Sequence, residues 1–449
     1  MKRLEGFQRG KAITVDFEGE SISAHEGEPV ACSLLASGEF VFSRSIKYHR
    51  PRGPFCMEGS CSHCLLRVDG VPNVFTCQTP ARAGMRLDRQ NAYPSVKVDI
   101  FESIDWLFPR GLDHHEMFAG VPVAEHVMAK VARHLAGLGL LPEKEAPARM
   151  PAETLRVSIA IAGGGVAGSA AAKVLAERGA SFALLEREDV LGGKLRSGAV
   201  PKDAEKPLSS ADLPKGSVRI NTTAVGLYDD EHGRYFAAVS HGPEGLRLLK
   251  VYAEQFLVCI GGHPRLPPFE NNDLPGVLAG PAASALIRRH GILPGENVAV
   301  VGQGESLKLL AELLKASGAQ LAAVVDLSGA DPGPNAFPGT VSGRELKARG
   351  RSQVAGLAFT RKDGEKMKVR CDLVAVALPP SPSFELARQG GAKVVFRPEL
   401  GAFAVEADES GRTAAKDIFV AGGVTGGLDV RASAESGRRA AQALLGGGR

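Results

Sequence analysis

The hydrophobic rhythm of the chain changes about one third of the way along. In the first hundred residues short alternating runs dominate. Residues 11–17 and 20–24 alternate around Glu18-Gly19, which predicts a hairpin, and residues 29–37 have helical spacing closed by Gly38. Residues 65–68 and 73–76 predict a second hairpin turning through Asp69-Gly70. An amphipathic helix is expected at 123–138, and residues 142–151 read as a linker rich in Pro, Ala and charge.

From Leu155 the apolar runs become continuous and alternate with helical stretches, the pattern of a parallel α/β sheet covered on both faces. A strand at 156–162, a helix at 166–178 stopped by Gly179 and a strand at 181–185 form a first unit. Three short strands around Val225, Phe236 and Leu248 predict an antiparallel meander, followed by an apolar strand at 255–260. A second strand-turn-helix-strand unit occupies 298–301, 306–317 and 321–325. Strands at 372–377 and 418–421 and a helix at 432–444 complete the chain.

Composition narrows the class without naming the chemistry. The 449 residues hold 54 Lys and Arg against 50 Asp and Glu, with 44% hydrophobic and 23% charged residues. This balance argues against a disordered chain and against a polybasic nucleic-acid binder. No run is long enough for a membrane span and no apolar leader follows Met1-Lys2-Arg3, so a cytoplasmic, reducing location is expected. Two features stand out. Glycine is abundant, at 54 residues, and four of the seven cysteines fall between Cys56 and Cys77.

Those four follow the spacing Cys56-x4-Cys61-x2-Cys64-x12-Cys77, with Gly59 in the first gap. A tight loop with x4 and x2 gaps and a distant fourth thiolate is the plant-type [2Fe-2S] arrangement. A zinc site is the alternative, with His63 as a substitute ligand, although only one short Cys pair is present. Cys32, Cys259 and Cys371 stand in apolar surroundings and read as core thiols.

The glycines mark a nucleotide loop. Gly163-x-Gly165-x-x-Gly168 follows a strand and opens a helix that begins with Val166 and Ala167, and Glu186-Arg187 closes the next strand. In that fingerprint the first glycine makes the turn, the second admits the pyrophosphate and the third lets helix and strand pack closely. The acid accepts hydrogen bonds from the adenosine ribose, and its charge disfavours a 2′-phosphate. The second loop, Gly302-Gln303-Gly304-Glu305-Ser306-Leu307, lacks the packing glycine and carries a carboxylate where a pyrophosphate would sit, so it reads as a structural relic. No close Cys pair accompanies the nucleotide motifs, which argues against disulfide reductase chemistry. His114-His115-Glu116 and His263 read as surface or loop residues.

Several blocks resemble a known family. Phe55 to Cys64, Val68-Asp69-Gly70 and Cys77-Gln78-Thr79-Pro80 resemble the ferredoxin-like domains of multi-subunit amino-acid and opine dehydrogenases. Arg44-Ser45-Ile46-Lys47-Tyr48-His49-Arg50-Pro51-Arg52-Gly53 and Gln90-Asn91-Ala92-Tyr93-Pro94-Ser95 resemble the alpha subunits of heterotetrameric sarcosine oxidases. The aminomethyltransferase-like domain of that type is not matched. Leu191-Gly192-Gly193-Lys194, Gly261-Gly262 and Gly422-Gly423 resemble the FAD signatures of two-dinucleotide-domain flavoproteins, except that Gly423 stands where those proteins carry an Asp for the ribityl chain.

The resemblance implies an α/β, Rossmann-like two-dinucleotide-binding-domain flavoprotein preceded by a β-grasp ferredoxin-like domain. The ferredoxin-like domain is expected at 1–105, a helical connector at 106–154, the first nucleotide domain at 155–270 and 376–449, and the second at 271–375. It further implies an oxidoreductase subunit with FAD, or alternatively NAD, at the first loop, and FMN at an interface with a D-amino-acid-oxidase-type beta subunit that oxidises the amine. The basic run Lys47, His49, Arg50 and Arg52 is expected to have a structural or docking role.

Overall fold

The computed structural model describes residues 1–46, 48–92, 94–103, 142, 152–201, 204, 206–242, 245–329, 331, 333, 336–427 and 429–446. The helix expected at 123–138, His114-His115-Glu116, Lys47 and all of the linker but Pro142 lie outside them.

Strands β1 (Ala12–Phe17) and β2 (Glu20–His25) pair antiparallel, placing Val15, Phe17 and Ala24 in a common core with Val30, Ala31 and Leu34 of helix α1 (Val30–Ala36). The β3 (Leu65–Val68) and β4 (Val71–Phe75) hairpin turns through Asp69 and Gly70, both at positive φ (49° and 83°), the two-residue turn whose twist matches its strands. With β5 (Arg86–Asp88), parallel to β1, the sheet order is β2-β1-β5-β3-β4, a β-grasp arrangement.

The next sheet begins with β6 (Glu153–Ala162), whose last four residues are fully buried and lead through the glycine loop into α2 (Val166–Glu177) and then β7 (Phe182–Leu185). After β8 (Val218–Arg219) comes a meander, β9 (Thr222–Asp230), β10 (Gly233–Gly242) and β11 (Gly245–Val258). The sheet order is β8-β7-β6-β11-β10-β9. The third meander strand and the apolar strand expected at 255–260 are one continuous element. No glycine or proline interrupts 248–258, so β11 runs antiparallel to β10 through Tyr252 and stays parallel to β6 from Leu249 to Val258.

The third sheet is built from β12 (Val277–Ala279), α3 (Gly280–Arg288), β13 (Asn297–Gly302), α4 (Gly304–Ala316), β14 (Gln320–Asp326), β15 (Val341–Arg349), β16 (Gly356–Arg361), β17 (Lys366–Val369) and β18 (Leu373–Ala377). Its order is β12-β18-β13-β14-β15-β16-β17, parallel through β15 and antiparallel beyond. The chain then returns to the earlier sheet, where β19 (Ile418–Val420) pairs parallel with β11, and ends in α5 (Val430–Gly446).

Two compact units result: Met1–Ala146 with Leu266–Leu378, and Pro147–Arg265 with Pro379–Arg449. In the first, Lys2–Arg3 pairs with Ile292–Leu293, and Cys32 and Leu35 of α1 share a core with Leu278, Leu286 and Leu310. The ferredoxin-like fold and the second nucleotide-type fold are therefore packed as one body. Among the described residues no helix is long and apolar enough to cross a membrane.

Candidate cofactor sites

The segment from Pro54 to Cys64 forms an irregular loop in which Met57 and Gly59 adopt positive φ (55° and 72°), curling the chain back on itself. A Cβ at Gly59 would stand 3.1 Å from Cγ of Gln78, so the loop closes over the residue next to Cys77. The β3-β4 hairpin brings Cys77 back, and the Thr76 hydroxyl donates to the Cys64 carbonyl at 2.6 Å. The four thiols meet as two pairs, Cys56 with Cys61 and Cys64 with Cys77, joined by a contact between Cys56 and Cys77.

Thiol-thiol hydrogen bonds hold Cys56 and Cys64 below the usual thiol range and push Cys61 and Cys77 above it. Sulfurs this close cannot all ionise without a cation among them. Backbone amides already point at three of them: Glu58 donates to Cys56 at 3.5 Å, His63 to Cys61 and Cys77 to Cys64. Two thiol pairs fit a two-iron cluster, whose sulfurs such amides stabilise. Cys32, Cys259 and Cys371 lie in three other cores; burial pushes the Cys259 thiol up to about 12 and the Cys371 thiol up to about 11.

At the first glycine loop each position has a distinct steric reason. Gly163 has φ 96°, and a Cβ there would stand 2.6 Å from the carbonyl oxygen of Cys259. A Cβ on Gly168 would fall 1.9 Å from the Gly163 carbonyl oxygen, so α2 packs on β6 only because that position is bare. At Gly165 nothing lies within 4 Å of such an atom: the N-terminus of α2, beginning at Val166 and Ala167, faces open space. Gly193 backs onto Gly165, Gly422 onto Ala167 and Gly423 onto Gly261, while Gly192 donates its amide to the Gly164 carbonyl at 2.9 Å. The widely separated motifs therefore converge around one helix start. Gly262 pairs with Pro382, Lys194 opens a short helix beside the loop, and Arg187 reaches Glu188 at 3.3 Å.

Glu186 is buried, and its two oxygens accept from the amides of Gly164 at 2.7 Å and Glu188 at 2.8 Å. Burial raises its carboxyl above the usual range despite those bonds. Each oxygen retains a second lone pair for a ribose hydroxyl. One contributor escaped the sequence reading: Gly437 of α5 lies under α2, where a Cβ would stand 2.1 Å from the Ala167 carbonyl oxygen. A glycine in the middle of a regular helix was the signal for that close approach.

At the second loop the space beside Gly304 is as open as that beside Gly165, but the other positions of the fingerprint differ. Leu307 is buried in the core beneath α4, Glu305 is exposed on the first helical turn, and Asp326 accepts from the Ser328 amide at 2.7 Å. The described members of the basic run are committed internally. Arg50 and Arg52 both donate to the Asp273 carboxylate, and His49 bonds Asp99 at 2.7 Å. His263 is exposed.

Comparison with known proteins bears on these sites. Residues 10–92 match the 2Fe-2S iron-sulfur cluster binding domain, and residues 161–213 match an NAD(P)-binding Rossmann-like domain. Sarcosine oxidase subunit alpha of Rhizobium meliloti is 27% identical over 97% of this chain and 46% of its own length. Over nearly its whole length the chain is similar to sarcosine oxidase alpha subunits. A second such subunit, from Corynebacterium sp. strain P-1, is 26% identical over 96% of this chain and 43% of its own, so the chain spans a little under half the length of these curated relatives. The structure of L-proline dehydrogenase from P. horikoshii has the same fold, with a TM-score of 0.71 and 22% identity over 99% of this chain and 76% of that one. The chain thus joins a ferredoxin-like domain to the α/β, Rossmann-like flavoprotein-type architecture expected from the sequence.

Proposed function

We propose that the chain is the electron-transfer subunit of a flavin-dependent amine or amino-acid dehydrogenase or oxidase complex. The observation that carries the reading is the meeting of four thiols in two pairs, with amides aimed at three of the sulfurs. Cys56, Cys61, Cys64 and Cys77 would hold a [2Fe-2S] cluster. FAD would lie at the first glycine loop, and the pair supplies exchange between two-electron and one-electron chemistry.

The chain's own residues then have definite tasks. Gly165 leaves room for a pyrophosphate against the free amides of α2, and Gly163 and Gly168 hold that helix start in place. Glu186 receives the ribose and excludes a 2′-phosphate. Arg187, Gly192, Gly193, Lys194, Gly261, Gly262, Gly422 and Gly423 form the surrounding wall. NAD is the alternative occupant, favoured by the absence of a carboxylate at Gly423.

The amine would be oxidised on a beta subunit of the D-amino-acid-oxidase type, with FMN at the shared interface, and the substrate class is a secondary amine such as sarcosine, proline, hydroxyproline or an opine. Leu307 in place of the packing glycine and the Glu305 carboxylate on the first helical turn disfavour a self-contained NAD(P)H reductase. The test is co-purification with the partner, followed by iron, sulfide and nucleotide analysis and anaerobic reduction. Amine should bleach cluster absorbance in the complex and not with this chain alone. Equally fast bleaching by NADH or NADPH overturns the reading.

A further inference from the structure

The cluster loop is held from two sides. Cys64 and Cys77 lie in the ferredoxin-like domain's own core, with Leu66, Val68 and Leu87. Cys56 lies elsewhere, in a small core shared with Phe55, Ala279 and Ala282, the last two from the end of β12 and the first turn of α3. The Ala279 amide donates to the Phe55 carbonyl at 3.0 Å, one residue before the first thiol. Just upstream, Arg50 makes a bidentate pair with Asp273 at 2.9 and 2.8 Å and also reaches Asn271 at 3.0 Å, while Arg52 donates to the same carboxylate at 2.9 Å. Asp273 precedes β12 and belongs to the second nucleotide-type domain. Its carboxylate is only 19% exposed, so these charge-assisted bonds are partly shielded from solvent.

We infer that Asp273 is a positioning residue for the cluster: by binding Arg50 and Arg52 it seats the approach to Cys56 and neutralises one of two cations beside it. The second nucleotide-type domain thereby serves the iron-sulfur site instead of a nicotinamide. This rests on the proposed [2Fe-2S] occupancy of the four cysteines. The two arginines and one carboxylate carry a net charge of +1. Asp273→Asn raises it to +2 and favours the reduced, more negative cluster, whereas Arg50→Gln lowers it to zero and favours the oxidised one. Simple loosening of the loop has no reason to produce opposite signs.

The experiment is an EPR-monitored redox titration of the full chain, purified with its partner, for wild type, Asp273→Asn, Asp273→Glu and Arg50→Gln, with iron content measured alongside. The expected result is a positive shift for Asp273→Asn and a negative one for Arg50→Gln, each about three- to tenfold in the reduced-to-oxidised equilibrium, tenfold being 59 mV for a one-electron couple. Asp273→Glu should stay near wild type. Shifts of the same sign, or none with iron retained, overturn the inference. If Asp273→Asn arrives without iron, Arg50→Gln decides alone: a negative shift supports the inference and no shift overturns it. A wild-type chain without iron, sulfide or an EPR signal is a different failure, that of the proposed function.

Discussion

Replacing Gly165 and Gly168 by alanine, one at a time, should separate binding from folding at the first glycine loop. The two positions are three residues apart and chemically identical, yet their surroundings are opposite. An alanine methyl at 168 would sit 1.9 Å from the Gly163 carbonyl oxygen and 3.0 Å from its carbon, both backbone atoms. Relief requires α2 to move off β6 by more than an ångström. Overpacking of this kind costs about 1–3 kcal/mol, and with backbone as the obstacle the cost should lie near or above 2, about 4–8 °C in melting temperature for a unit of this size. At 165 φ is −68° and nothing lies within 4 Å, so alanine fits without strain. Only the preference for Gly over Ala at a helix N-cap is lost, about 1 kcal/mol or less. The same methyl occupies the space a pyrophosphate needs. Thermal unfolding of nucleotide-free protein, with calorimetric titration of FAD and of NAD, reads both effects. Gly168→Ala should lose stability. Gly165→Ala should stay within a few degrees of wild type and bind at least about tenfold more weakly, 1.4 kcal/mol. Unchanged binding by Gly165→Ala would show that the loop does not seat a dinucleotide, whatever its spacing.

Other expectations are simpler to test. Serine at Cys56, Cys61, Cys64 or Cys77 should strip iron and visible absorbance, whereas serine at Cys259 or Cys371 should leave iron unchanged and lower the melting temperature, because those thiols are buried in apolar cores. Nucleotide binding should weaken as pH falls toward the raised carboxyl of Glu186, since a ribose hydroxyl donates best to the ionised form; in Glu186→Gln this dependence should vanish from titrations across pH. Because ionised Glu186 is disfavoured in the folded state, the nucleotide-free domain should gain stability as pH drops through that raised value, and Glu186→Gln should abolish the gain. Asp273 behaves oppositely: burial would raise its carboxyl, but Arg50 and Arg52 hold it below 3.8. The clamp's contribution is therefore complete above that value and is lost only as pH falls through the lowered one, measurable as acid release of iron.

The local chemistry was legible in the sequence because it depends on short spacings. Four thiols within 22 residues, and a glycine triplet between strand and helix, need only a loop or a turn to bring them together. What escaped the reading depends on long separations. Asp273 lies 221 residues from Arg52, and nothing in its local sequence distinguishes it from any acid in a loop. Beside it, β12 and α3 are too short and too alanine-rich to give a clear period. Strand β15 interleaves exposed Arg344, Glu345, Lys347 and Arg349 with buried Leu346 and Ala348 and β17 has no buried residue, a weak signal until the parallel strand β14 supplies their edge. The join within β11 was misread because its burial changes partway along. Leu246 and Leu248 are exposed where the strand has only the meander beside it, and Phe256 to Val258 are buried where β6 and β19 flank it.

The two glycine loops show how one architecture reaches two ends through a single side chain. In the first, the bare Gly168 lets α2 approach β6 closely, and the helix start opens onto unfilled space beside Gly165. In the second, the helix still begins at a glycine with positive φ, Gly304, but Leu307 replaces the packing glycine. Its side chain joins a core that also takes Leu310 and Leu314 of α4, Leu286 and Ile287 of α3, and Cys32 and Leu35 of α1. Burying a leucine contributes about 1.5–3 kcal/mol. Here that burial ties α4 to α3, whose first turn lies against Phe55 and Cys56. Leu307→Gly would therefore not restore a nucleotide site. It would open a cavity in the shared core, costing about 2–5 kcal/mol by analogy with leucine-to-alanine truncation, and it should loosen the cluster loop before any nicotinamide binds. Iron retention during thermal challenge measures that order directly: tight NADH binding by a Leu307→Gly chain that keeps its iron would refute it.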